Sequence, residues 1–255
     1  MTLWYLQRPR LYPRLASEIR RQLGHERSPL DDTSREAASW CDARAIGTAE
    51  ALQKFDAPLN DEARFSVRFA SELEDAEQIV RNCPVEMGGP GDLDLLYSLA
   101  ERVQARKIIE TGVAYGWSSL AILCSLATRD GARLISSDMP YPGRNNDRHV
   151  GCVVPKRLLE HWQLLRSADR QSLPKAIRLL GTIDMCHYDS DKSRAGRLWA
   201  YPLLWNTLRP GGVFVSDDVS DNLAFRDFAS TTSVEPLIVR HQDKFVGILR
   251  KPGNL

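Results

Sequence analysis

The stretch Ile183 to Gly196, IDMCHYDSDKSRAG, begins as an apolar strand and ends in a polar knot holding Asp189, Asp191 and Lys192. A second apolar run, GGVFVSDD, closes on Asp217 and Asp218. Neighbouring strands of a sheet lie about 4.8 Å apart. If these two are neighbours, Asp189, Asp217 and Asp218 crowd one edge. Such crowding is costly unless a cation sits among them. Oxygen ligands without His or Cys favour Mg²⁺ or a similar hard ion over zinc. The competing role is helix N-capping, for which Asp is strongly preferred. For any single Asp the two roles are level; for all three together the cation is favoured. His187 alternates in phase with Asp189 and reads as structural. Trp162, Trp199 and Trp205 read as core.

A second constellation lies upstream, in IIETGVAYGWSS (Ile108 to Ser119). A strand delivers Glu110. Gly112 and Gly116 then let the backbone turn tightly into a helix and approach a ligand closely. The spacing is E-x-G-x-x-x-G rather than G-x-G-x-x-G, so a dinucleotide pyrophosphate is the weaker reading. A helix N-terminus with free N–H groups, together with the Ser118 hydroxyl, suits a carboxylate. Taken alone, two glycines are as often only a turn. Asp138 ends the next strand, RLISSD, 26 residues beyond Gly112. An acid near this distance is what a ribose diol needs as a bidentate acceptor. Its competing role is the capping of a turn. The two motifs together carry more weight than either alone.

Both constellations need strands that end side by side. From Leu93 onward the pattern supplies them. KIIETG, ARLISSD, WQLLRSA, IDMCHYD and GGVFVSDD read as strands. They alternate with the helices LDLLYSLAERV, SSLAILCSLA, SLPKAIRLL, RLWAYPLLWNTL and NLAFRDFAS. PKRLLEHW reads as a further helix after the long polar loop MPYPGRNNDRH, and PLIVRH and FVGILRK close the chain as a hairpin. This alternation predicts an α/β fold, Rossmann-like and doubly wound, with a mostly parallel seven-stranded sheet and a C-terminal antiparallel hairpin. In such sheets ligands bind at the carboxyl ends of the strands, where both constellations fall.

Residues 1–90 read as an N-terminal helical extension, set off by the loop cluster MGGPGD from a domain spanning 91–255. Apolar positions recur there at helical spacing: Leu11, Leu15, Ile19 and Leu23, then Trp40, Ala45 and Leu52, then Phe65, Phe69, Leu73 and Ile79. An extra layer on the core, a lid or a dimer surface would each use such helices.

The chain has 255 residues and a formal net charge of +1, so electrostatics give no reason to expect nucleic acid or an anionic membrane as partner. Its five cysteines are scattered without C-x-x-C spacing, which argues against a disulfide framework or a zinc site and suits a cytoplasmic protein. The basic N-terminus lacks the apolar core of a signal peptide, and no run approaches the length of a membrane span.

From about Gly91 to Pro252 the sequence resembles class I S-adenosylmethionine-dependent methyltransferases, and among them the metal-dependent O-methyltransferases of the catechol and macrocin type. IIETGVAYGWSS resembles the motif for the methionine half of the cofactor, and RLISSD the ribose strand with Asp138 in the acidic position. RSADR is similar to the segment that places an acid, here Asp169, near the adenine. HYDSDK resembles the catechol enzyme's Asp-x-x-Lys, which gives the metal role to Asp189 and the base role to Lys192. SDD resembles the acidic pair that completes the metal site, Asp217 and Asp218. LRPGGVFVSDD is the most specific stretch. The resemblance implies Glu110, Gly112, Gly116, Ser118, Asp138 and Asp169 around S-adenosylmethionine, a Mg²⁺ ion, and a hydroxylated small-molecule acceptor such as a sugar, a catechol-like diol or a natural product. A cation beside Lys192 disfavours its ammonium form, which suits a base. Two other classes are an NAD-dependent oxidoreductase in the same kind of cleft and a cofactor-binding module without catalysis. A homodimer is a further expectation for the helical extension.

Overall fold

The computed structural model describes Tyr12 and residues 30–55, 63–139 and 146–253. From residue 30 onward the described residues begin with four helices: α1 (Leu30–Asp42), α2 (Thr48–Gln53), α3 (Phe65–Arg68) and α4 (Ala70–Arg81), with the two-residue strand β1 (Ala45–Ile46) after α1. The alternating part follows as α5 (Leu93–Arg102), β2 (Lys107–Thr111), α6 (Trp117–Leu126), β3 (Arg133–Ser137), β4 (Trp162–Leu165), α7 (Asp169–Leu180), β5 (Ile183–Tyr188), α8 (Arg194–Thr207), β6 (Leu208–Ser216), α9 (Ala224–Thr232), β7 (Leu237–His241) and β8 (Lys244–Arg250).

These strands form one sheet in the order β1-β7-β8-β6-β5-β2-β3-β4. β8 runs antiparallel to both its neighbours, and the other pairs are parallel. The chain winds one way from β2 through β3 to β4, then returns to the other side of β2 with β5. That reversal puts the topological switch point between β2 and β5, whose tips carry the loops after Thr111 and Tyr188. β2 and β3 are buried beyond their first residue because helices cover both faces of a parallel sheet.

Strand parity divides the core. Ile108, Met185, Val213 and Val215 face α5 and α6, where Leu95, Leu99, Leu120 and Leu123 are buried. Ile109, Ile135, Cys186 and Phe214 face the opposite layer, against Leu173 of α7, Tyr201 and Leu204 of α8, and Phe225 and Phe228 of α9. Glu110, His187, Asp189 and Asp217 continue the first of these two phases, so they belong to the α5–α6 side of the sheet. Asp92, at the end of the MGGPGD loop, caps α5 by accepting a 2.9 Å hydrogen bond from Leu95 N.

The N-terminal segment is more deeply built in than an appendage. β1 pairs with β7 as an eighth strand, covering what would be the sheet's edge. Leu52 and Phe65 are fully buried in the same core as β2 and β5. Ala45, expected in a helix, lies in β1 because it must continue the sheet. Arg226 of α9 reaches Glu36 of α1 at 2.6 Å. The expected helix around Leu11 to Leu23 lies outside the described residues. PKRLLEHW forms only a 3₁₀ turn, Lys156–His161. Trp162, Trp199 and Trp205 are half-buried instead of core, and Trp162 Nε1 donates to Ser136 Oγ at 2.8 Å. The five cysteines form no disulfide. Among the described residues no helix is long and apolar enough to cross a membrane.

Candidate active site

The strand tips are stitched together by backbone bonds. Gly112 N donates to Ser137 O at 2.8 Å, Asp189 N to Thr111 O at 2.9 Å, and Asp217 N to Tyr188 O at 3.0 Å. The loops after β3, β2, β5 and β6 therefore open side by side.

Gly112 (φ +79°) and Gly116 (φ +97°) both occupy the left-handed region, which accounts for their residue type. At Gly112 the close neighbour is protein. A Cβ there would lie 2.2 Å from the carbonyl oxygen of Asp189. The absent side chain makes room for the loop after β5. At Gly116 a Cβ would lie 3.0 Å from Gly151 Cα. The segment around Gly151 lies across the loop, with Gly151 N donating to Ala114 O at 2.9 Å and Val153 N to Tyr115 O at 3.1 Å. Gly116 is also the N-cap of α6 and offers no side-chain cap, so the first N–H groups of that ten-residue helix remain available to an anion.

Glu110 is fully buried. Its Oε1 accepts from Ser118 Oγ at 2.6 Å, and its Oε2 from Ser119 Oγ at 2.5 Å and Ser136 Oγ at 2.7 Å. Glu110 consequently shapes the loop from behind, and the Ser118 hydroxyl is turned onto it. Asp138 Oδ2 accepts from Val113 N at 3.0 Å and Ala114 N at 3.1 Å, while Oδ1 accepts from Arg166 Nη1 at 2.6 Å. A carboxylate has about four acceptor positions, so capacity remains for one more donor. Asp169, in the first turn of α7, accepts from Ser137 Oγ at 2.9 Å and also meets Ser190 Oγ, which in turn lies 2.8 Å from Thr111 Oγ1. Asp169 thus ties the tips of β3 and β5 together.

Asp189, Asp217 and Asp218 each present a carboxylate oxygen within 4.8 Å of the others. Capping does not explain them. Ser193 caps α8, accepting from Gly196 N at 3.0 Å, and Asn222 Oδ1 serves Ala224 N at 3.1 Å where α9 begins. Asp191 instead accepts from Ser193 N at 3.1 Å. Asp218 sits at φ +50°, a conformation few non-glycine residues adopt. Behind the pair lies Arg197, fully buried in α8, whose Nη2 donates to the carbonyls of Asp217 at 3.2 Å and Asp218 at 2.8 Å. Sequence reasoning missed this residue. The signal was an Arg in helical register with the apolar Ala200, Tyr201 and Leu204.

Lys192 bridges the cluster. Its Nζ pairs closely with Asp218 and lies 3.1 Å from Asp189 Oδ1. The contact with Asp189 lacks hydrogen-bond geometry, which leaves Oδ1 buried without a hydrogen-bond partner. Lys244, the first residue of β8, reaches Asp218 Oδ1 at 3.4 Å. Burial alone would favour neutral Lys192, but Asp189 and Asp218 outweigh it and hold the ammonium above its ordinary range. This is opposite to the direction expected of a base beside a cation, because here the carboxylates act on the lysine unopposed. Burial, then Asp189 and Asp218, push the Asp217 carboxyl up. Asp218 is also buried, but Lys192 and Lys244 bring it below the usual range. Three carboxylates within reach of one another, an Asp pushed toward protonation and an all-oxygen donor set are what a hard divalent cation fits.

His187 is a second residue the sequence reading set aside. It is register-paired with Glu110 and with Val215, and Nδ1 lies 3.7 Å from Glu110 Oε1. A cleft of about 570 Å³ opens elsewhere, between α4 and Cys152–Pro155, and none of the residues expected to do chemistry lines it.

Known proteins share this fold. Residues 109–219 match the family model described as a methyltransferase domain, a span that holds every expected site residue from Glu110 to Asp218. Among solved structures, the O-methyltransferase from Bacillus cereus in complex with SAH is 17% identical, with a TM-score of 0.54, covering 83% of this chain and 100% of its own. The O-methyltransferase TomG from Streptomyces achromogenes, involved in tomaymycin synthesis and in complex with SAM, is 21% identical at a TM-score of 0.53, covering 73% of this chain and 95% of its own. The SAH-bound methyltransferase PaMTH1 of Podospora anserina is 14% identical at 0.52, covering 89% and 99%. No curated protein gives a significant match. Residues 109–219 thus resemble a methyltransferase domain, and the chain shares the Rossmann-like fold of these structures.

Proposed function

We propose that this chain is an S-adenosylmethionine-dependent O-methyltransferase that methylates a hydroxyl of a small molecule with the help of a divalent cation. The observation that carries the reading is the contact between the two constellations. Gly112, in the loop that would receive the methyl donor, abuts Asp189, the first residue of the carboxylate cluster. Donor and acceptor sites are then neighbours, as in-line transfer demands.

Asp189, Asp217 and Asp218 would hold the cation. Such an ion, when bound, lowers the pKa of an attached hydroxyl and fixes its direction. The remaining work belongs to the chain. The uncapped start of α6 offers N–H groups to the donor's carboxylate. Asp138 braces Val113 and Ala114, so the loop keeps one shape. Arg197 fixes the backbone of Asp217 and Asp218 from below. Lys192 Nζ is the group within the cluster that can take the hydroxyl proton. It does so only when its pairing with Asp189 and Asp218 is relaxed, since that pairing keeps it protonated. Vicinal hydroxyls, as in a catechol or a sugar, would chelate best, which makes a diol the acceptor of choice. A cytoplasmic setting suits both the donor and the free thiols.

The test is a release assay for S-adenosylhomocysteine over a panel of catechols and sugar diols, with Mg²⁺ or with excess EDTA. Product with Mg²⁺ and none with EDTA is the expected result. Stabilisation by NAD and not by S-adenosylhomocysteine in a melting experiment would overturn the reading.

A further inference from the structure

The structure leaves one conflict at the loop after β2. Ser118 is the hydroxyl placed to meet a donor's carboxylate at the start of α6, yet it is spent on Glu110 Oε1 at 2.6 Å. Glu110 is fully buried, so an oxygen that loses its donor there has no water to replace it. His187 is the group that faces the same oxygen. Its Nδ1 lies 3.7 Å from Glu110 Oε1, too far for a hydrogen bond, and is itself buried without a partner. The ring is 6% exposed and sits between Glu110 and Val215 in the sheet register. Oε2 of Glu110, by contrast, is served by Ser119 and Ser136. One oxygen therefore has two fixed donors, and the other has one hydroxyl in place and one N–H donor in reserve.

We infer that His187 is a positioning residue that takes over Glu110 Oε1 when Ser118 turns to the carboxylate of the bound methyl donor. The inference rests on the proposed S-adenosylmethionine chemistry and deepens it. The exchange needs a movement of about 1 Å, from 3.7 Å to ordinary hydrogen-bond length, with a proton on Nδ1. No charge is created or lost: one O–H···O⁻ bond passes to the ligand and one N–H···O⁻ bond replaces it. Without His187, Ser118 can serve the ligand only by abandoning a buried carboxylate oxygen. A substitution at His187 should hence weaken ligands that carry the amino-acid moiety and spare those that lack it.

Calorimetric titration of the full chain with two probes tests this. S-Adenosylhomocysteine has the carboxylate; 5′-methylthioadenosine has the same nucleoside and thioether without it. His187→Phe should weaken S-adenosylhomocysteine about tenfold, the worth of one hydrogen bond to a charged group, and leave 5′-methylthioadenosine unchanged. His187→Asn, whose amide nitrogen replaces Nδ1, should restore binding to within about threefold on the same account. Ser118→Ala should impose the same selective loss, and adding His187→Phe to it should cost nothing more. If His187→Phe does not fold, His187→Gln, which moves the donor outward by one bond, should show the selective loss. Equal loss for both probes, or none for either, would overturn the role given to His187. Failure of the unaltered protein to bind S-adenosylhomocysteine would overturn the functional reading beneath it.

Discussion

The Cβ that Gly112 lacks would stand 2.2 Å from the carbonyl oxygen of Asp189. The contact joins the two halves of the site, because the first residue is the turn after β2 and the second is the tip of β5. It also yields a comparison. Gly131 shares the left-handed conformation, at φ +67°, but has nothing within 4 Å of its missing Cβ. Gly131→Ala should therefore cost only the backbone strain, about 1 kcal/mol. Gly112→Ala should cost that plus displacement of the β5 tip, roughly 3 kcal/mol or more. Thermal or urea unfolding measures both. Equal losses would mean that the loops do not press on each other.

The acidic cluster should reveal itself in stability before any acceptor is known. Asp217 has a raised carboxyl pKa, from burial and then from Asp189 and Asp218. As pH rises through the ordinary carboxylate range, the unfolded chain ionises first, so the native state loses stability until Asp217 ionises too. Asp218 has a lowered value, because its lysine partners outweigh its burial. Its contribution is present above the ordinary range and is lost as pH falls through the lowered value. In cation-free protein at neutral pH, Asp217→Asn should melt higher, and Asp218→Asn lower. The gain from Asp217→Asn should vanish in acid. Melting curves over a pH series would show it, and a loss at neutral pH for Asp217→Asn would contradict the crowding argument.

Much of this arrangement was legible in the sequence, for reasons that differ from residue to residue. Strands buried on both faces carry short apolar stretches between helices, so β2, β3, β5 and β6 could be placed and Asp189, Asp217 and Asp218 assigned to the tips of β5 and β6. β1 could not, since two residues carry no periodicity and its pairing with Ile238 and Val239 is decided by distant sequence. Ser118 was read only as a hydroxyl suited to a ligand carboxylate, because its engagement with Glu110 depends on rotamers. His187 looked ordinary as a lone residue in a strand; only the register that sets it against Glu110 gives it a neighbour. Lys192 lies against Asp189 and Asp218, but its ionisation depends on whether a cation or the ammonium balances the carboxylates.

Removal of residues 1–60 tests how far the N-terminal segment is structural. The cut takes away α1, β1 and α2, with Leu52, Ala51 and Cys41 all fully buried. It also uncovers β7 as an edge and breaks the ion pairs of Arg226 with Glu36 and of Arg240 with Asp42. The truncated chain should be recovered as aggregate or should melt far below the full chain, with donor binding lost in parallel. A soluble truncated protein that still binds S-adenosylhomocysteine at the original affinity would return the segment to the status of an appendage.

The sharpest prediction concerns competition between Lys192 and a divalent cation for the same carboxylates. Lys192 Nζ pairs with both Asp189 and Asp218, two of the three residues that would hold the ion. Lys192→Met keeps the stem but removes the ammonium, leaving three carboxylates within 4.8 Å with Lys244 still paired to Asp218. The cation-free variant should be less stable than the parent. Added Mg²⁺ should raise its melting temperature more than the parent's, because binding to the native state stabilises it by RT ln(1 + [L]/Kd) and the variant offers the ion an uncontested site. Turnover should move the other way. With donor and Mg²⁺ saturating, loss of the proton acceptor should lower kcat by roughly 10²–10⁴-fold, while the affinity for S-adenosylhomocysteine stays near that of the parent. The two readouts together separate the possible roles. A purely structural lysine would lower stability without a larger response to Mg²⁺ and would leave kcat near that of the parent at permissive temperature. An equal response to Mg²⁺ in parent and variant, or full turnover in excess EDTA, would remove the cation from the carboxylate cluster.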